Sequence, residues 1–220
     1  MKNSTLKIII FIFLGLVIFT NYTKSNFPNS EQESLLFMLE EEKLAHDVYT
    51  QLYEKWETRQ FENIKESEKI HMEKIKTLLD QNKILYEILP IGKFKNQNLQ
   101  KLYNDLIAKG NISEIEALKV GATIEDVDIF DLKRLKKETE NQQILNVYDF
   151  LECGSRNHLR AFNRGLSVNN SSYEVQYISK QEFNKIINNE HEKCGKTFNS
   201  SCNKNENATM RRGKNRNFKN

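Results

Sequence analysis

EKLAHDVY, residues 42–49, sets one carboxylate inside what reads as the apolar stripe of a long helix. Around it Leu35, Met38, Leu39, Ala45, Val48, Tyr49 and Leu52 recur at steps of three and four, the spacing that gathers side chains on one helical face. Glu42 falls within that band. Burying an unpaired carboxylate costs several kcal/mol or forces it to take up a proton, so Glu42 requires a partner.

The anomaly recurs in three later segments. Ile64, Ser67, Glu68, His71, Ile75, Leu78 and Leu79 share one side of a second helix, and Leu118, Ala122, Glu125, Ile129, Leu132 and Leu135 share one side of a third, with Asp128 one turn beyond Glu125. A fourth carries Ile144, Val147, Leu151, Gly154, His158, Ala161 and Phe162. Acids and imidazoles at core-facing positions of four helices point to a metal held between them. The competing reading is a hydrogen-bonded polar layer without metal. Glu68-x-x-His71 puts two ligands one turn apart, but such a spacing is common by chance; the concurrence of four helices is what favours metal.

The first helix is expected from Ser30, an N-cap with Glu33 behind it, to Trp56, and the second from about Phe61 to Asn82, which makes an antiparallel hairpin. Residues 83–111 contain Pro90, Gly92 and a short amphipathic helix closed by Gly110, a connection long enough to cross over a bundle. Ser113 and Asn141 open the third and fourth helices, and the fourth stops near Gly165. The expected fold is all-α. The two hairpins look like a degenerate duplication, with Ser155-x-x-His158 answering Glu68-x-x-His71. A short helix around Phe183, Ile186 and Ile187 packs on the bundle.

Lys2 and Lys7 precede the apolar run Ile8–Phe19, the layout of an export signal, too short for an ordinary membrane span. Residues 1–25 are therefore expected to be a signal or an anchor in the inner membrane, 31–192 the helical domain and 203–220 a disordered basic tail. The protein is then periplasmic or otherwise extracytoplasmic. Six of the basic residues lie between Lys204 and Asn220, so the domain itself is slightly acidic and no nucleic-acid partner is expected. Gly-rich phosphate loops, Cys-x-x-Cys pairs and nucleophile elbows do not occur. Cys153 reads as a buried free thiol, and Cys194 with Cys202 as a disulfide formed after export.

The order Glu, Glu-x-x-His, Glu, x-x-x-His resembles the ferritin-like superfamily, and Glu42, Ala45 and Tyr49 are similar to the first-helix ligand motif of rubrerythrins. More specifically, EEEKLAHDVY, SEKIHM, GATIEDVDIFDL and SRNHLRAF together resemble the ferritin-like family called domain of unknown function 2202. The resemblance implies a ferritin-like four-helix bundle with a long crossover, and it matches Glu42, Glu68, His71, Glu125 and His158 to metal-ligand positions. Ser155 stands where a symmetric site would have a further carboxylate; Asp128, or less well Glu152, is the candidate to replace it. Carboxylate and imidazole ligands suit iron or manganese, mononuclear or dinuclear. The expected function is an exported oxidase, peroxidase or metal-handling protein. The alternative is a metal-free envelope interaction module.

Of the remaining polar residues, Glu40 and Glu41 read as a solvated face, His46 as a capped or solvated histidine, and Arg156 and Arg160 as salt-bridging groups. Tyr49 and Tyr148 are either core or hydroxyl partners of the ligands.

Overall fold

The computed structural model of the chain describes residues 27–195, so the expected export segment, the basic tail and Cys202 lie outside the described residues. Among the described residues there are six helices and no strand: α1 (Asn29–Trp56), α2 (Arg59–Gln81), α3 (Gln97–Gly110), α4 (Glu114–Leu135), α5 (Gln142–Val168) and α6 (Lys180–Asn188). None is long and apolar enough to cross a membrane.

Most helix starts follow local chemistry, though neither α1 nor α2 has a side-chain cap. Ser113 Oγ accepts the Glu116 N–H, Asn141 Oδ1 that of Gln143, and Asn96 Oδ1 those of Asn98 and Leu99. α1, however, starts one residue before Ser30, with Pro28 at the cap position and no side-chain cap, so the expected Ser30 cap is corrected. α1 ends where Glu57 adopts a left-handed conformation, φ 52°, and its N–H returns to the Tyr53 carbonyl. Only Glu57 and Thr58 then separate α1 from α2, which forces an antiparallel pair.

α1 packs on α2 and α4 on α5; the pairs meet along α2–α5 and α1–α4, while α3 lies against α1 and α4. Because α1 touches three helices, its buried surface wraps beyond one stripe, and every residue from Glu41 to Ala45 is buried. Glu41, 3% exposed, is therefore not on a solvated face as expected. Glu40 stays half-exposed, and its carboxylate accepts the Lys95 and Asn96 N–H groups and holds the start of α3. Two turns on, Asp47 accepts from Lys43 and from the Gly92 N–H, pinning the connection between α2 and α3 to α1. Gly92, at φ +74°, has no room for a side chain beside Tyr103.

The interior consists of two apolar clusters. One contains Val48, Tyr49, Phe61, Leu118 and Phe162; the other contains Leu35, Met38, Ile75, Leu79, Leu132 and Leu151. Along each long helix the polar residues of interest fall between them: Glu42 between Leu39 and Ala45, Glu68 and His71 between Ile64 and Ile75, Glu125 and Asp128 between Ile124 and Leu132, and Ser155 and His158 between Leu151 and Leu159.

Candidate metal centre

Four helices thus deliver one polar layer into the interior, and its members are all buried. His71 Nδ1 lies 3.0 Å from Glu42 Oε2 and 2.8 Å from Glu68 Oε2. His158 Nδ1 lies 3.0 Å from Glu68 Oε1 and 3.5 Å from Glu125 Oε2. Two triads result, Glu42–Glu68–His71 and Glu68–Glu125–His158, each with its ligand atoms within 4.8 Å of one another. Glu68 belongs to both, one oxygen to each. The imidazole rings stack at 5.4 Å.

Hydroxyl groups fix the outer edges of this layer. Tyr49, buried against Phe61 and Phe162, donates to Glu125 Oε1 at 2.5 Å. Ser67 Oγ lies 3.0 Å from His158 Nε2, so the ring presents Nδ1 to the carboxylates. Ser155 donates to Asp128 Oδ2. Asp128 is thus buried beside the layer but belongs to neither triad, and it departs in that respect from the expected ligand set. Glu152 is tied to Lys136 and Arg156 instead.

Electrostatics separates the acids. Burial opposes ionisation of Glu68, yet His158 and His71 together hold its carboxyl far below the usual range. Glu42 has only His71, and burial pushes it up to about 8. Burial also raises Glu125, and it raises Asp128 further because the charges of Glu42 and Glu125 add to it. For His158, burial would favour the neutral ring, but Glu68 and Glu125 lift it to about 10. Glu41, adjoining the layer, is raised by burial and by Asp128 and Asp131.

The layer is not saturated by its own hydrogen bonds. Glu42 Oε1, Glu68 Oε1, Asp128 Oδ1 and His158 Nδ1 are buried without a hydrogen-bond partner. Glu68 Oε1 and His158 Nδ1 are close but not aligned for donation. Unpartnered buried acceptors of this kind each cost roughly 1–3 kcal/mol, and a cation at each triad would satisfy those of Glu42, Glu68 and His158, which belong to the triads. The carboxylate and histidine groups present could therefore hold a metal.

Other expectations resolve as follows. His46 lies 3.1 Å from Asp47 Oδ1, outside both triads. Tyr148 donates to Ser34, away from the layer. Arg156 and Arg160 do form ion pairs, with Glu192. The disulfide joins Cys153 and Cys194, so neither the free Cys153 thiol nor the Cys194–Cys202 pair holds. The segment after α6 returns along α5, anchored by Glu192 on Arg156 and Arg160, and this carries Cys194 to Cys153.

Fold and site together define an all-helical protein with a buried carboxylate–histidine layer between two apolar clusters. The chain belongs to the family of the uncharacterized protein domain DUF2202, whose model matches residues 31–190. It is 49% identical over 166 residues to the uncharacterized protein MJ0754 of Methanocaldococcus jannaschii, which covers 74% of this chain and 90% of that protein. A crystal structure of hypothetical protein MJ0754 from Methanococcus jannaschii DSM 2661 is similar at a TM-score of 0.75 and 48% identity, covering 77% of this chain and 98% of that one.

Proposed function

We propose that the four long helices form a ferritin-like bundle, and that its polar layer binds a pair of iron or manganese ions in an exported oxidase, peroxidase or metal-handling protein. The observation that carries this reading is Glu68, whose two oxygens face two separate triads while Glu42, Glu68 and His158 each keep a buried atom unpartnered. Glu42 and His71 would hold one ion, Glu125 and His158 the other, with Glu68 between them. Iron or manganese with open coordination positions supplies dioxygen or peroxide chemistry. The chain's own contributions are orientation and exclusion of water: Tyr49 fixes Glu125, Ser67 fixes the His158 ring, and the two apolar clusters close the layer above and below. Export rests on Lys2, Lys7 and the run Ile8–Phe19.

A second reading has one observation of its own. His71 already hydrogen-bonds Glu42, and two imidazolium groups among the acids would compensate much of the charge, as a metal-free layer in an interaction module requires. Metal content and melting temperature separate the two. Wild type loaded anaerobically with iron(II) or manganese(II) should bind metal and melt higher, because an ion that binds only the native state stabilises it. His71→Ala should lose both effects. A wild type that binds no metal and melts unchanged overturns the proposal.

A further inference from the structure

Residues of α2 and α5, with Gly195, line a cavity of about 360 Å³ that is linked to His71 through Phe150. Its volume is at the small end of the range for ligand pockets, roughly 300–1,000 Å³. Leu78 and Val147 are buried in its floor, and Lys74, Asn146 and Gly195 stand around Phe150 at its wall. The lining contains a cation, amide side chains and a threonine hydroxyl, and no carboxylate. Lys74 has no acidic partner among the described residues; its Nζ stands 5.4 Å from the Phe150 ring centre.

Phe150 faces two ways. Half-buried, it lines the cavity, while the rings of Phe150 and His71 meet in a T-shaped contact at 5.8 Å. Gly195 adjoins the same ring: a Cβ there would lie 3.6 Å from Phe150, and the residue before it, Cys194, is cross-linked to Cys153 one turn beyond Phe150. The wall is therefore covalently held against α5.

We propose that this cavity binds a small monocarboxylate with a flat apolar body, of the benzoate type, the body against Phe150, Leu78 and Val147 and the carboxylate on Lys74. An aromatic wall rewards flat apolar surface, and an unpaired ammonium beside it, with no acid in the lining, selects an anion. Only the further assignment of this ligand as a substrate of the centre behind His71 rests on the metal reading. The binding site itself does not.

The test uses full-length protein stripped of metal by chelation, so that its outcome is independent of whether the polar layer binds metal. Sodium benzoate titrated into labelled protein should move the Phe150 ring resonances and those of His71 saturably, with intermolecular NOEs to Phe150. Benzyl alcohol, equal in shape but uncharged, should bind about tenfold more weakly. In Lys74→Met, an exposed position that leaves the core intact, benzoate should fall to the level of benzyl alcohol. Absence of saturable shifts at Phe150, equal affinity for the two probes, or full benzoate affinity in Lys74→Met would each overturn the proposal.

Discussion

Gly154 lies so close against His71 that a Cβ built on it would stand 2.4 Å from the imidazole Nε2. The α5 backbone thus forms the back wall of the ring and leaves only Nδ1 facing Glu42 and Glu68. Gly154→Ala sets two effects against each other. Alanine favours the helix by about 1 kcal/mol over glycine. Forcing a buried ring aside costs roughly 1–3 kcal/mol, and more where a hydrogen-bonded network moves with it. The clash should win: lower stability in chemical denaturation and, on the metal reading, reduced metal content. A variant at least as stable as wild type with full metal content would show that the ring has room to move.

The shared carboxylate makes a stoichiometric prediction. With two triads joined only at Glu68, wild type should take up two ions per chain, Glu125→Gln about one, and Glu68→Gln neither tightly. Elemental analysis after anaerobic loading decides this. Equal loss in both variants would point to a single ion.

The disulfide closes a loop of 41 residues containing α6. On the chain-entropy account such a cross-link contributes about 4 kcal/mol by restricting the unfolded chain. Cys194→Ser should lower the melting temperature and remove the difference between reduced and oxidised wild type. Non-reducing peptide mapping should recover the Cys153–Cys194 peptide; finding Cys194 joined to Cys202 would refute the pairing.

Glu192 supplies a pH signature away from the polar layer. Against the opposing effect of burial, Arg156 first and then Arg160 hold its carboxyl down to about 2. A depressed acid contributes stability that is present above its unfolded value of about 4.3 and is lost as pH falls through the folded value. Because Glu192 is one-third exposed, water screens the pairs, and the contribution is about 1 kcal/mol. Glu192→Gln should therefore lower stability at pH 7 and flatten its decline between about pH 4.5 and 2. An unchanged acid limb in denaturant titrations would show that the ion pairs contribute nothing.

The proposed export is tested by cell fractionation. The protein should be recovered outside the cytoplasm, cleaved or held by its N-terminal segment. Full-length soluble protein confined to the cytosol would defeat that part of the proposal.

The periodicity of apolar residues was enough to place four long helices and the short helix between the second and third of them, because a helix that must bury one face repeats its apolar residues every three to four positions. It also singled out Glu42, Glu68, His71, Glu125 and His158, since a charge inside an apolar stripe is visible without knowing what faces it. What faces it was decided by the tertiary structure alone. Glu125 and Asp126 are adjacent and both buried, yet Glu125 enters a triad while Asp126 accepts the Tyr173 hydroxyl and the N–H groups of Gln176, Tyr177 and Ile178, anchoring the chain that leads to α6. Glu41 could not be told from a surface acid because a stripe argument assumes one buried face, whereas α1 is covered on three sides. The choice of cysteine pair depended on where the strand of chain after α6 lay down, and that was set by Glu192 meeting Arg156 and Arg160, contacts between residues more than thirty positions apart that no local spacing encodes.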